Sequence, residues 1–391
     1  MEQATLVLSK LDNLAGSLPN TNLFLYMYVR KEAVLSSQIE GTQSSLNDLI
    51  LFEHNQKPNV AISDVTEVSR YVAALDYGVK QLNEGFPLCL RLIREIHSIL
   101  LSKTRGAECL PGEFRTSQNW IGGTRPGNAI FVPPEPAIVL NCLSNLELYI
   151  HSEGTPTLIK AAVAHLQFET IHPFLDGNGR IGRMLIILIL YNFGLIKNPI
   201  LYLSLYFKEN RNTYYSLLNE VRIKGNWEDW IRFFLEGIIA VSEQGVSIIS
   251  KINALFDECQ KKIEKTGRRR FSMQIMLEYL KKMPVTTATI AADKLKMSVP
   301  SARAALNTLA DLGIVKSYDI DKRSKRYEFQ QYSASLDPMS ATQALMASPP
   351  SSLCASTISD VEGASARVNA RVADTEAESE SNVTLAGVAD A

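Results

Sequence analysis

Apolar positions return every three or four residues through most of the chain, the spacing of helices that bury one face. Phe24, Met27, Tyr28, Leu35 and Ile39 predict a helix over Leu23–Glu40, with Gly41 as its stop. Val68, Val72, Leu75 and Val79 mark a second over Thr66–Gln81, and Ile93, Ile96 and Leu100 a third over Leu90–Leu101. These stripes are core faces, and His54 and His97 among them read as ordinary satisfied or exposed histidines. Thr155-Pro156 opens another helix as N-cap and first residue, with Leu158, Ile159, Ala162, Val163 and Leu166 facing inward. Met184–Leu195 is apolar almost throughout and closes at Gly194, which predicts a fully buried helix.

Two stretches break the helical rhythm. Phe114, Trp120 and Ile121, then residues 129–132, flank a Gly/Pro/Asn turn, so Glu113–Pro134 predicts a β-hairpin. Farther on, a long helix runs to about Gly267 and Arg268–Arg270 marks a boundary. Met273–Leu280, Thr289–Leu295 and a Ser298-capped Val299–Leu312 follow, then Ile314-Val315 and the basic turn Lys322–Arg326. Three helices and a short basic hairpin are the pattern of a winged helix, with Arg303 and Lys322–Arg326 placed to touch phosphates. From about Ser333 the chain turns to Ala, Ser, Thr and Glu, which bury too little to offset ordering entropy and predict a disordered tail.

Composition narrows the class. With 391 residues, 46% hydrophobic and 21% charged, the chain suits two or three globular domains. A net charge of −1 provides no global field for nucleic acid or a membrane, so DNA binding stays open but is not favoured. Cys89, Cys109, Cys142, Cys259 and Cys354 are scattered, which predicts reduced thiols and no zinc site. No basic stretch leads into a long apolar one at the N-terminus, and Met184–Ile196 is too short to span a bilayer. The expectation is a cytoplasmic protein.

The chemistry is concentrated in His172-Pro-Phe-Leu-Asp-Gly-Asn-Gly-Arg-Ile-Gly-Arg183. His172 has the right ordinary pKa, about 6.5, for a general base near neutrality. Asp176 is a hard oxygen ligand suited to Mg²⁺. Gly177 and Gly179 let backbone N–H groups approach a phosphate at a helix start, where the dipole attracts anions. Arg180 and Arg183 supply planar forks for further phosphates.

This block resembles the motif of the Fic family, His-Pro-Phe-x-(Asp/Glu)-Gly-Asn-Gly-Arg-x-x-Arg, at every specified position. The resemblance implies a mainly α fold, a helical bundle with a hairpin flap, and a transferase that moves AMP from ATP to a Tyr, Thr or Ser hydroxyl of a target protein. It implies His172 as catalytic base, Asp176 as the Mg²⁺ ligand, and ATP contacts from Leu175, Asp176, Gly177, Asn178, Gly179, Arg180, Ile181 and Arg183. Asn178 and the loop amides would hold phosphate oxygens, Arg180 the β-phosphate and Arg183 the γ. Gln167, near the loop, and Asn212 and Tyr215, downstream, are the candidates for the rest of the nucleotide. Ser36-x-x-x-Glu40-Gly41 fits the family's inhibitory motif, in which Glu40 takes Arg183 away from the γ-phosphate. The 113–134 flap would dock the target as an added strand.

The resemblance covers roughly residues 1–330. It divides the chain into an N-terminal helical region (1–105), a Fic core (106–250), a linker helix with a winged helix (251–332) and the tail (333–391). Removal of AMP by the same site, or an ATP-sensing DNA-binding regulator, are the alternatives. A homodimer is left open.

Overall fold

The structure, a computed structural model, describes residues 1–53, 57–267, 270–319 and 325–336. His54, Arg268, Arg269, residues 322–324 of the basic turn, Cys354 and the tail past 336 lie outside the described residues.

The chain is a helical bundle followed by a small antiparallel sheet. α1 (Glu2–Gly16), α2 (Thr21–Ile39), α3 (Leu46–Glu53), α4 (Ile62–Asn83) and α5 (Leu90–Leu101) lead to α6 (Pro136–His151), α7 (Thr157–Ile171) and α8 (Asn178–Asn192). Short α9 (Ser204–Glu209), α10 (Arg211–Lys224) and the long α11 (Trp227–Glu264) complete the bundle. α8 is its axis: Ile181 and every residue from Met184 to Leu190 are buried. A helix apolar all round must be covered on all sides. Here α7, α4, α5 and α2 surround it.

Local chemistry sets the ends that matter. The Asn20 side chain accepts from Leu23 N–H at 2.9 Å and starts α2. Gly41, at φ 101°, takes the chain out of α2 just after Glu40, as expected. α7 stops at Ile171 because His172 precedes Pro173, where the helical region is disfavoured. Its start differs slightly from the sequence reading, since Pro156 is the N-cap and Thr157 the first helical residue.

The Glu113–Pro134 stretch differs more. It bends back on itself around a 3₁₀ turn at Pro126–Asn128, but Ile121 and Phe131 form its single antiparallel bridge and no strand develops. Isolated two-stranded ribbons are marginal in water, and proline at 126, 133 and 134 removes ladder donors.

The C-terminal part holds the element set of a winged helix. α12 (Arg270–Lys282), β1 (Val285–Thr287), α13 (Ala288–Leu295), α14 (Val299–Asp311), β2 (Lys316–Asp319) and β3 (Lys325–Glu328) give a sheet ordered β1-β3-β2. The register pairs Thr286 with Tyr327 and Tyr318 with Arg326. The last described helix, α15 (Gln330–Leu336), returns to α11, where Tyr332 packs edge-on against Phe256. Among the described residues α11 alone is long and apolar enough to cross a membrane, and half of that apolar window is buried in the protein.

Candidate active site

The site grows from the turn between α7 and α8. His172 caps α7 with φ 48°, a left-handed conformation that costs a β-carbon-bearing residue energy and collects at functional positions. Neighbours hold it there. Arg115 is buried and its Nε donates to His172 O at 2.9 Å, while its other nitrogens reach Ser117 O, Ile171 O and Pro134 O. Asn119 Nδ2 donates to Phe174 O at 3.0 Å. The Phe174 ring stacks on His97, centroids 3.6 Å apart.

His97 is satisfied on both nitrogens. Nδ1 accepts from Gly112 N–H at 2.8 Å, which leaves Nε2–H to donate to Asp176 O at 3.0 Å. Burial lowers its pKa to about 4, so it is a neutral prop for the loop.

Asn178, expected to hold phosphate, has a structural part in the turn. Its Oδ1 accepts from Phe174 N–H at 2.9 Å and its Nδ2 donates to Phe174 O at 2.8 Å. Each polar end makes one bond that closes the turn, because Phe174 is buried and its backbone needs partners. Gly177, at φ 81°, is the N-cap of α8, and no side chain caps the helix start. The first amides of α8 are thus left for an anion.

Asp176 lies beside that start. Its Oδ1 accepts from Gly177 N–H at 2.6 Å and its side chain is 44% exposed. A β-carbon on Gly106 would stand 2.5 Å from Asp176 Oδ2, so glycine there leaves the carboxylate its room. Among the described residues no group of three or more His, Cys, Asp or Glu could cage a metal. One carboxylate beside a phosphate cradle fits Mg²⁺, which completes its shell with water and substrate oxygens.

The two motif arginines are buried and each meets a carboxylate from the N-terminal helices. Arg183 Nη2 donates to Glu40 Oε1 at 2.6 Å and to Ser36 O at 3.0 Å, and its Nε to Ser36 Oγ at 2.9 Å. Glu40 lies at the end of α2, where the helix dipole disfavours a carboxylate, and the guanidinium answers that cost. Arg180 Nη1 donates to Glu67 Oε2 at 3.2 Å and its Nη2 to Asp176 Oδ2 at 3.2 Å.

His172, Glu40, Gly179, Arg183 and Tyr215 share the wall of one cavity of about 100 Å³ with Arg222 and Glu169. Burial lowers the His172 pKa to about 4, with Arg222 pushing the same way, so the imidazole is neutral at neutral pH and able to take a proton. Its Nδ1 is buried without a partner among the described residues. Arg222 donates to Glu169 O at 3.0 Å and to Thr170 Oγ1, and lies 4.2 Å over the Phe131 ring. It therefore ties α10 to the end of α7 and to the flap, whose Ile121 also lines the cavity.

The remaining predicted residues divide. Leu175 is exposed beside Asp176, whereas the Ile181 side chain is buried in the core. Asn212 is exposed and lies outside the cavity wall that Tyr215 joins. Gln167 lines a different groove, of about 400 Å³, with Pro134, Tyr149 and Ile171. The difference follows from helical spacing: Gln167 is two residues from Glu169 and so points off another side of α7. His165 Nε2 pairs with Tyr214 O–H at 2.9 Å, so it braces α10. Arg115, Arg222, Glu67, Glu169 and Asn119 carried no periodic or motif signal.

Comparison with known proteins agrees with this geometry. The Fic/DOC family N-terminal model matches residues 1–80 and the Fic/DOC family model matches residues 87–190. Protein adenylyltransferase Fic of Drosophila yakuba is 30% identical over 179 residues, 45% of this chain and 33% of that protein. The Aedes aegypti protein of the same name is 30% identical over 232 residues, 56% of this chain and 43% of that one. The chain thus spans well under half the length of these curated relatives.

In fold, it is similar to a Fic family protein from Desulfovibrio desulfuricans, with TM-score 0.50, 19% identity, and coverage of 77% of this chain and 86% of that one. A Fic domain containing signaling protein from Bacteroides thetaiotaomicron gives TM-score 0.52 at 18% identity, covering 63% and 95%. Over residues 1–80 and 87–190 the chain thus carries Fic/DOC family sequence, distantly related to the protein adenylyltransferases Fic.

Proposed function

We propose that this protein is a protein adenylyltransferase held at low activity by Glu40. The observation that carries the reading is Arg183, held by Glu40 and Ser36 on the wall of the cavity that contains His172. A guanidinium suits a carboxylate or a phosphate equally well, so Glu40 and the ATP γ-phosphate compete for it.

With Glu40 displaced, the start of α8 holds phosphate oxygens on its free amides, Arg180 meets the β-phosphate and Arg183 the γ. Asp176 would hold Mg²⁺, which supplies positive charge to the phosphates when bound. The neutral His172 takes the proton of a target Ser, Thr or Tyr hydroxyl as its oxygen bonds to the α-phosphorus. The bond from that phosphorus to the oxygen bridging the α- and β-phosphates breaks, and pyrophosphate leaves. Ile121 and Phe131 put the flap beside this cavity, where an extended target segment would align on it.

A second reading has one observation in its favour. Glu40 lines the same cavity as His172, where a carboxylate can hold a water for the reverse cleavage of AMP from a modified protein. One comparison separates the two. Glu40→Gly should label itself or a lysate partner with AMP from ATP far more strongly than the parent. An unchanged parent and variant, with AMP released from a pre-modified protein only when Glu40 is present, would overturn the transferase reading.

A further inference from the structure

The two arginine–carboxylate pairs are built for different purposes. Glu40 sits at a helix end with its side chain 36% exposed, so it can leave Arg183. Glu67 is on α4, its side chain only 9% exposed, and it is held from both sides. Its Oε2 accepts from Arg180 Nη1 at 3.2 Å, and its Oε1 from Arg105 Nε at 2.8 Å. Arg105 also reaches Asp64 Oδ1 at 3.4 Å, and Asp64 Oδ2 accepts from Gln43 N–H at 2.8 Å. Among the described residues, Arg180, with its side chain 4% exposed, has only Glu67 and Asp176 as hydrogen-bond partners, and its Nε has none.

We propose that Glu67 is the positioning residue for Arg180, gripping Nη1 so that Nη2 stays beside Asp176, where a nucleotide's β-phosphate docks. The inference rests on the nucleotide reading given above. A guanidinium on a flexible stem contributes to phosphate binding only if its fork is already aimed, and a buried carboxylate on one edge aims the other. Glu67 is itself held by Arg105, so the edge that grips Arg180 is fixed in place.

The test uses the full chain with Glu40 in place and two probes that lack a γ-phosphate, AMP and ADP, each with Mg²⁺. In Glu67→Gln, ADP affinity should fall roughly tenfold, the scale of one charge-assisted hydrogen bond, while AMP affinity is unchanged. Arg180→Gln should show the same selectivity, and the double variant should lose no more than Arg180→Gln alone. If Glu67→Gln does not stay folded, Glu67→Asp, which keeps the charge but withdraws it by one methylene, carries the same comparison. Equal losses for AMP and ADP, no loss for ADP, or additive losses in the double variant would overturn the inference. Because nothing is transferred in this assay, a Glu40→Gly protein that labels nothing would remove the transferase reading and leave this result standing.

Discussion

Arg183 Nη2 and Glu40 Oε1 stand 2.6 Å apart although 143 positions separate them in sequence. A β-carbon on Gly179 would run into that same Glu40 oxygen, so the glycine that opens the phosphate cradle also admits the competitor. Ser36 shares the guanidinium through Oγ at 2.9 Å. Ser36→Ala removes that acceptor and leaves Glu40 in place, a loss of about 1 kcal/mol to the closed pairing. AMP labelling should rise roughly fivefold, less than in Glu40→Gly. A Ser36→Ala protein as active as Glu40→Gly would make the hydroxyl, not the carboxylate, the main restraint.

The backbone at His172 offers a separate check. In the Glu40→Gly background, His172→Ala should cut transfer by about 10²–10⁴-fold, the usual share of general base catalysis, and leave ATP binding intact. Because residue 172 has φ 48°, His172→Gly should unfold at no lower denaturant concentration than His172→Ala, despite the chain entropy that glycine adds. Paired urea titrations decide it. A Gly variant clearly less stable than the Ala variant would mean the turn carries no strain.

What the sequence disclosed, and what it withheld, follows from the range of each signal. α2, α5, α8 and the twelve-residue block from His172 to Arg183 were legible because periodicity and motif spacing are local. The pairing of Arg183 with Glu40 was reached through the family pattern alone. The Glu67–Arg180 pair was not reached at all, since it joins positions 113 apart and neither residue is marked by spacing. Arg115 and Arg222 look like surface arginines in sequence, yet they tie carbonyl groups of the turn and of α7. The antiparallel return of the flap was legible in its composition, but how few ladder bonds its prolines permit was not.

Asn178 carries a structural task that its motif position does not reveal. Its amide closes the turn through two hydrogen bonds to Phe174 in a buried setting. Asn178→Ala should destabilise the fold by about 1–3 kcal/mol, since Phe174 N–H loses its partner away from water while Phe174 O keeps only Asn119. In the fraction that stays folded, nucleotide affinity should change little. Denaturant midpoints and ADP titration on one preparation separate the two effects. Unchanged stability with lost ADP binding would return Asn178 to the phosphate.

Glu169 supplies the last prediction, one in pH. It is buried one turn before His172, one of its oxygens has no partner among the described residues, and burial pushes its carboxyl up to about 7, against the opposing pull of Arg183. Its folded pKa thus lies above the unfolded value of about 4.3. Between those values the folded chain keeps a proton that the unfolded chain has released, so this group's contribution falls as pH rises through the window. Glu169→Gln has no proton to lose. Its stability relative to the parent should therefore improve from pH 5 to pH 8, by on the order of 2–3 kcal/mol. His97 and His172, lowered to about 4, and His165, lowered to about 3, have the opposite slope below about 6.5, but they are present in both proteins and drop out of the comparison. Urea unfolding of both proteins at pH 5, 6.5 and 8 reads the difference directly. A flat difference would mean that Glu169 is already ionised in the acid range, with Arg183 or Arg222 as its counter-charge, and that the cavity beside His172 holds one more anion than its burial suggests.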